Sequence, residues 1–306
     1  MSIGTGRRGK LALRVVAIAA AVIVAACSSP GSGQPPTAAA AAPRTARAAP
    51  TGIAAAAGRA SNPPEAASGG PLRYRYMTDS SSGDQTEPYG YNLVDLNPQR
   101  SLIDSLPAGQ QALVWIGPYN PSTCAFDLSD AAIRATLAGL AGDPKVAGYY
   151  IDDEADDALP VYGGKCPRVA AQVAARSALV HSLAPGAFTY EVVTEPGNFA
   201  AFATATDVLG ADPYPCLVGK PCDMTMIPRY IDALRAAHVA HYWGVLQAFS
   251  NIRWRFPTAA ELRAMIGQWQ QSGWEGEQTF AWSYDGQSLA QHPGLLTVLR
   301  ALNLGS

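Results

Sequence analysis

Residues 146–154, with the sequence V-A-G-Y-Y-I-D-D-E, place three consecutive carboxylates directly after a short apolar run rich in β-forming residues. An unpaired charge in the middle of a buried strand is costly, so the strand is predicted to end where the carboxylates begin. Strand side chains alternate, which predicts that Asp152 and Glu154 face one way and Asp153 the other. Two carboxylates on one face form a candidate acid/base pair; a solvated acidic loop is the alternative interpretation.

Apolar runs of this kind alternate with helical patterns along residues 71–306. We predict eight strands, near residues 72–77, 91–94, 112–117, 146–151, 187–193, 208–211, 242–247 and 278–282. Helical patterns cover residues 129–141, 168–183, 226–238, 258–272 and 292–302. Alternating strands and helices indicate an α/β fold with a parallel sheet, and eight strands in one domain predict a closed (β/α)8 TIM barrel.

In such a barrel the carboxyl ends of the strands meet at one face, where active sites lie. Residues that could bind or react at this face are Asp79, Trp115, Asp152, Asp153, Glu154, Glu195, Asp212, Tyr214, Gln247, Phe249, Trp282, Tyr284 and Asp285. Aromatic rings stack on the apolar faces of sugars, while carboxylates bind hydroxyls and exchange protons. No phosphate-binding or dinucleotide-binding motif accompanies the strands, so no cofactor is implied.

Four motifs resemble glycoside hydrolases of the (β/α)8 barrel type, over residues 72–300. They are Y-Y-I-D-D-E at strand four, G-A-D-P-Y-P at strand six, V-L-Q-A-F followed by R-F-P-T-A-A-E-L-R at strand seven, and A-W-S-Y-D at strand eight. In the large retaining clan of such barrels, a glutamate after strand four is the general acid/base, and the resemblance gives that role to Glu154. The clan's nucleophile, a glutamate ending strand seven, corresponds here to Gln247, an amide that cannot attack as a carboxylate.

Three interpretations of the site are compatible with the sequence. In the first, Asp212 or Asp152 is the second carboxylate, and a separation of about 5–5.5 Å from Glu154 favours retention whereas about 6.5–9.5 Å favours inversion. In the second, the substrate's own acetamido group attacks, as a resemblance to chitinase-like barrels implies. In the third, the protein is a catalytically inactive surface lipoprotein that binds glycans. The predicted substrate-binding residues are Asp79, Trp115, Tyr214, Gln247, Trp282 and Tyr284.

The amino-terminal segment has the order of features that an export signal requires. Basic residues up to Arg14 precede an apolar run over 15–26, which is too short to span a bilayer as a stable helix. The run ends in V-A-A-C-S, which resembles the lipobox of bacterial lipoproteins, where the signal is cleaved before a cysteine that becomes lipidated. That resemblance makes residues 1–26 a signal peptide and Cys27 the lipidated residue; ordinary secretory cleavage is the alternative. The implied location is extracytoplasmic, lipid-anchored in the cell envelope, either periplasmic or at the cell surface.

Residues 27–70 are mostly Ala, Pro, Ser, Gly and Thr. They offer too little apolar surface to offset the entropy of ordering, which predicts a disordered tether between the membrane and the single domain at 71–306. The formal net charge is -2, and no basic patch with interleaved aromatic residues is present. Nucleic acid is therefore not an expected partner.

Four cysteines follow Cys27 in the predicted domain: Cys124, Cys166, Cys216 and Cys222. An even number in an exported protein predicts two disulfides, for which three pairings are possible. Cys216 and Cys222 bracket a short loop, which favours a local bridge and leaves Cys124 with Cys166. A metal site built from all four thiolates is the alternative, although no CxxC pair supports it.

Overall fold

The computed structural model describes residues 72–80 and 85–305; the predicted signal peptide, Cys27 and the linker at 27–70 lie outside these residues. Eight strands in the described part are β1 (Tyr74–Met77), β2 (Leu93–Leu96), β3 (Gln111–Trp115), β4 (Val146–Asp153), β5 (Phe188–Val193), β6 (Val208–Ala211), β7 (Tyr242–Gln247) and β8 (Gly276–Phe280). They are parallel and form a closed barrel in which each strand pairs with its sequence neighbour and β8 pairs with β1. The predicted TIM barrel is confirmed.

Helices pack around the outside of the barrel. They are α1 (Arg100–Asp104), α2 (Asp130–Ala138), α3 (Val169–Leu183), α4 (Phe199–Phe202), α5 (Met226–Ala236), α6 (Ala259–Trp269) and α7 (Pro293–Leu304). Side-chain caps fix two of their starts: the Ser129 hydroxyl accepts from the Ala132 N–H, and Thr258 forms the predicted capping box with Glu261. Among the described residues, no helix is both long and apolar enough to cross a membrane.

Five aromatic side chains fill the barrel interior, and we call them the aromatic floor: Tyr76, Trp115, Tyr150, Tyr190 and Trp243. Their ring centroids lie 4.8 Å apart for Tyr190 and Trp243, 5.0 Å for Tyr150 and Tyr190, and 4.9 Å for Trp115 and Tyr150. The interior is therefore a packed core below the carboxyl ends of the strands. A second apolar layer lies between the strands and the helices and includes Leu209, Leu246, Met265 and Trp269.

Two strands are shifted by two residues at both ends relative to their predicted bounds. Strand β2 begins at Leu93, one residue after Asn92. The Asn92 side chain bonds the backbone near β1: its Oδ1 accepts from the Arg75 N–H at 2.9 Å, and its Nδ2 donates to the Arg73 carbonyl at 2.8 Å. The last strand, β8, begins at Gly276 and ends at Phe280, so Trp282 lies beyond it. Only a short 3-10 turn, Glu87–Tyr89, is described between β1 and β2.

The cysteines form two disulfides, Cys124–Cys166 and Cys216–Cys222. This pairing confirms the predicted local bridge and the second link between distant loops. It also excludes the alternative of a site built from four free thiolates. The first bridge ties the hairpin formed by Tyr119–Asn120 and Ala125–Phe126, which follows β3, to the segment before α3.

Candidate functional site

The three consecutive carboxylates at the end of β4 have different surroundings. Asp152 is buried, and its Oδ1 accepts from the Tyr119 N–H at 2.7 Å. Asp153 is exposed to solvent, and its Oδ1 accepts from the Tyr150 hydroxyl at 2.5 Å. Glu154 is partly buried and lies just past the end of the strand.

Glu154 has a left-handed backbone conformation, with φ of 62°. The register of β4 against β5 also shifts between Tyr150 and Asp152. Both departures interrupt the two-residue alternation of a strand. The prediction that Asp152 and Glu154 share one face and Asp153 the other is therefore wrong.

Glu154 and Asp212, which follows the end of β6, lie close enough that each carboxyl shifts the pKa of the other. Among the described residues, neither oxygen of Asp212 receives a bond from an N–H or hydroxyl donor, and Asp212 is only 2% exposed. Two carboxyls can bond each other only when at least one carries a proton, and the oxygens of such a pair lie about 2.5–3.0 Å apart. The structure thus brings together two of the predicted catalytic residues as a proton-sharing pair.

The pKa values of this pair follow from burial and crowding of like charges. Burial raises the pKa of Asp212 well above its ordinary value, and the charge of Glu154 raises it further. Burial, followed by the charge of Asp153, raises the pKa of Glu154 to about 8, although the bond from Asp212 lowers it. Asp212 therefore holds its proton more firmly, and Glu154 is the member that releases one first.

Asp153 is the last residue of β4 at the barrel mouth, and the alternation rule had directed it away from Glu154. The charge of Asp153 raises the pKa values of Glu154, Asp212 and Tyr214. It also raises the pKa of Asp79, which follows β1 and reaches about 6 through desolvation first and the charge of Asp153 second.

Other acids near β4 have structural roles. Asp156 accepts four hydrogen bonds, from the Thr194 N–H and hydroxyl, the Glu195 N–H and the Asn198 amide, at 2.8–3.1 Å. Burial raises the pKa of Asp152 to about 8, although the Tyr119 N–H stabilises its ionised form. Glu191 is fully buried, and its Oε1 accepts from the Ala155 N–H at 3.3 Å. These contacts hold the segment that follows Glu154.

Five aromatic side chains line one side of the mouth, and we call them the aromatic wall: Tyr214, Phe249, Trp254, Phe280 and Tyr284. Neighbouring ring centroids lie 4.9–5.7 Å apart, as for Tyr214 and Phe249 or Tyr214 and Trp254. The charge of Glu154 contributes to the raised pKa values of Tyr214 and Tyr284, which places the wall beside the carboxyl pair. Sequence reasoning named Tyr214 and Tyr284 but missed Phe280, which ends β8 and packs on both Phe249 and Tyr284.

Gln247 ends β7 and is fully buried. Its Oε1 accepts from the Cys216 N–H at 2.9 Å, and its Nε2 donates to the carbonyls of Cys216 at 3.1 Å and Arg255 at 2.9 Å. The amide thus uses both its acceptor and its donor group to join two loops. Its partners are backbone groups of the protein, which leaves it saturated before any substrate binds.

The remaining predicted substrate-binding residues are dispersed around the mouth. Asp79 is exposed, with φ of 55°, and its N–H donates to Asp95 Oδ1 at 2.9 Å. Trp115 is partly exposed within the aromatic floor. Trp282 is 7% exposed and packs on Tyr89 at 5.9 Å, so its ring contributes mainly to packing.

Among the described residues, neither the group of potential metal ligands nor the cavity below the barrel lies at this mouth. One group of potential metal ligands is found among the described residues, Cys216, Cys222 and Glu261, and both of its sulfurs are already in a disulfide. A cavity of about 450 Å³ lies at the opposite end of the barrel, where Tyr74, Gln111 and Val146 begin or flank strands. It contains none of the mouth carboxylates, so we assign the candidate site to the carboxyl ends of the strands.

No protein-family model matches the chain, and no curated protein matches it. Solved structures with the same fold include a glucosidase from Croceicoccus marinus, at 12% identity and a TM-score of 0.53, covering 78% of this chain and 69% of that one. A candidate α-L-fucosidase from Bacteroides thetaiotaomicron has 11% identity and a TM-score of 0.54, covering 81% and 98%. For β-glucuronidase 2 of Bacteroides uniformis the identity is 12% and the TM-score is 0.49. The match covers 69% of this chain but only 31% of the length of the β-glucuronidase. The first two of these comparisons show that the chain has the barrel fold found in glycoside hydrolases.

We predict that Gln247→Glu lowers stability and creates no activity. A protonated glutamate has one donor where the amide has two, so one buried carbonyl loses its partner. The free energy of unfolding should fall by about 1–3 kcal/mol, measured by denaturant titration. Gln271→Glu, an exposed amide on the turn after α6, is the matched control and should change stability by less than about 0.5 kcal/mol. Unchanged stability together with increased glycoside turnover would show that Gln247 faces the substrate.

Proposed function

We propose that this protein is a glycoside hydrolase in which Glu154 is the general acid/base. The observation that carries the proposal is the contact between Glu154 and Asp212 at the carboxyl ends of β4 and β6. A glycosidic oxygen is a poor leaving group unless it is protonated as its bond breaks. A carboxyl that remains protonated at neutral pH supplies that proton, and Glu154 has a pKa of about 8.

Asp212 supports Glu154 rather than attacking the substrate in this proposal. The O–H of the protonated Asp212 carboxyl donates to Glu154. This hydrogen bond strengthens once Glu154 has given up its own proton and become a carboxylate. Asp212 is also only 2% exposed, which leaves its carboxylate little access to the anomeric carbon of a bound sugar. Asp212 and Glu154 therefore act as one proton donor, and the second catalytic carboxylate lies elsewhere in the mouth.

A carbohydrate substrate fits the remainder of the mouth. The exposed edge of the aromatic wall, which includes Tyr284 at 37% exposure, offers rings for the apolar face of a sugar. The exposed carboxylates Asp79 and Asp153 offer acceptors for its hydroxyls. Two of the structural neighbours named above support this substrate class, because the glucosidase and the candidate α-L-fucosidase are named for sugar substrates. Glycan binding without turnover is the outcome that the next experiment separates from hydrolysis.

We predict that Glu154→Gln lowers kcat/KM for glycoside hydrolysis by about 10²- to 10⁴-fold, because the amide keeps the shape of the side chain but has no acidic proton. The assay uses a panel of aryl glycosides and polysaccharides, with release of phenol or of reducing ends as readouts. Glu87→Gln, an exposed carboxylate on the 3-10 turn before β2, is the matched control and should keep full activity. Full activity in a folded Glu154→Gln variant would remove Glu154 from the mechanism.

We predict a basic limb near pH 8 in the pH dependence of kcat/KM. The acid must be protonated, and the protonated fraction of Glu154 falls as pH rises through about 8. The charged groups that face Glu154 are Asp153, Asp156, Asp157 and Asp212. A limb near pH 5, typical of an unperturbed glutamate, would show that burial does not protect this proton.

Two variants of Asp212 test the origin of that limb. Asp212→Asn retains an N–H donor toward Glu154, so the limb should stay close to its original position. Asp212→Ala removes the donor that lowers the pKa of Glu154, so the limb should move to higher pH. Equal effects of the two variants would contradict donation from Asp212 to Glu154.

We also propose that the enzyme is lipid-anchored through Cys27 and extracytoplasmic. The two disulfides support an oxidising compartment. In a bacterial host with the lipoprotein pathway, metabolic labelling with a palmitate analogue should mark the wild-type protein, and Cys27→Ser should abolish labelling and release the protein from membranes. Ser28→Ala is the control and should remain labelled. Persistent labelling of Cys27→Ser would place the lipid on another residue.

A further inference from the structure

We propose that Asp153 is the catalytic nucleophile, the carboxylate that attacks the anomeric carbon while Glu154 protonates the leaving oxygen. This assignment rests on the proposed hydrolase function and supplies its second carboxylate. Asp153 ends β4, is open to solvent, and lies among the groups of the barrel mouth on whose ionisation its charge acts.

Hydrogen bonding leaves one oxygen of Asp153 available to a substrate. The Tyr150 hydroxyl donates to Oδ1 at 2.5 Å, and no N–H or hydroxyl group of the described residues donates to Oδ2. Burial raises the pKa of Asp153, and the bond from the Tyr150 phenol opposes that shift by stabilising the ionised form, which is the form that attacks. The other oxygen retains its lone pairs for the anomeric carbon.

Tyr150 is itself held rigidly. Its ring belongs to the aromatic floor and meets Trp115 at 4.9 Å, Tyr190 at 5.0 Å and Tyr76 at 6.4 Å. The register shift in β4 between Tyr150 and Asp152 accompanies the placement of this hydroxyl against Asp153, three residues on. A nucleophile supported by packed rings from four strands satisfies the requirement that reacting groups be held before the substrate arrives.

The other carboxylates of the mouth are less suited to attack. Asp152 is buried and bonded to the Tyr119 N–H, and Asp212 is 2% exposed and bonded to Glu154. Asp79 is exposed, but the one charge recorded as acting on it is that of Asp153 and not that of the acid Glu154. Asp153 is thus the exposed carboxylate that lies close to the Glu154–Asp212 pair.

The adjacency of the two residues favours a retaining mechanism. Their Cα atoms are about 3.8 Å apart, so both carboxyls lie at the same end of β4, and direct attack by Asp153 gives the covalent intermediate of a retaining enzyme. In the first step an Asp153 oxygen bonds to the anomeric carbon, the bond from that carbon to the leaving oxygen breaks, and the Glu154 proton moves to that oxygen. In the second step the oxygen of a water bonds to the anomeric carbon, Asp153 leaves as a carboxylate, and the water proton returns to Glu154. One water is consumed, and two inversions give net retention.

The test uses the full chain and the dinitrophenyl glycoside of whichever sugar the wild type hydrolyses. Asp153→Gly and Asp153→Asn should each lose about 10³-fold or more in kcat/KM. Azide should restore turnover of Asp153→Gly, because it attacks the anomeric carbon in the space that the carboxylate vacates, and the glycosyl azide should have inverted configuration. Tyr150→Phe should lower kcat, move the acidic limb of its pH profile upward and leave the basic limb in place. Asp232→Asn, an exposed carboxylate on α5 outside the barrel mouth, is the matched control and should keep its activity.

Each alternative outcome identifies what has failed. Release of the inverted sugar by the wild-type enzyme, followed by NMR, would make Asp153 a base at most and overturn the assignment. A glycosyl azide of retained configuration would assign Asp153 to the acid/base role instead. Near-normal turnover by folded Asp153→Asn would exclude it from catalysis, while the proposed hydrolase function would stand. If the wild type cleaves no glycoside, the proposed function fails and this assignment fails with it.

Discussion

Two carboxyl groups in contact within a desolvated cleft must share a proton, and this constraint on Glu154 and Asp212 orders the rest of the barrel mouth. None of the ion pairs among the described residues involves Asp79, Asp95, Asp152, Asp153, Glu154 or Asp212. The crowded acids are therefore stabilised by protonation and hydrogen bonds instead of by cations. Carboxyl groups in a site of this kind stay protonated at neutral pH, which is what a general acid requires.

The fold creates this contact through two local irregularities in β4. The register shift before Asp152 and the left-handed conformation of Glu154 send three consecutive carboxylates to three different partners: a backbone N–H, a buried phenol and a second carboxyl. A non-glycine residue with positive φ costs of order 1–3 kcal/mol, and such strain is found where surrounding structure holds it. Here the Ala155 N–H donates to Glu191, and Asp156 bonds the segment before α4, so the turn is fixed immediately after Glu154.

The sequence predicted the barrel well because strand and helix patterns are local, and the apolar runs of all eight strands lie close to their observed positions. It also predicted Glu154 and Asp212 as site residues. It could not predict which way each carboxylate points, because the alternation rule assumes a regular strand and β4 is irregular. Nor could it separate Gln247 as a saturated loop contact from a substrate ligand, since its three partners are backbone groups distant in the chain. Phe280 was missed for a related reason: its role depends on ring contacts between β8 and two other loops.

A saturated amide at the end of β7 and an available carboxylate at the end of β4 are complementary features of one site. A carboxylate at position 247 would face two backbone carbonyls, so the loops that carry Cys216 and Arg255 would lose a donor to which both are bonded. Retaining the amide keeps the 216–222 disulfide loop, and with it Tyr214 of the aromatic wall, in place. The cost is that β7 cannot supply a nucleophile. Asp153 can supply the nucleophile instead, because it lies beside the acid Glu154. The irregularity of β4 gives the neighbouring Asp152 a different partner, the Tyr119 N–H.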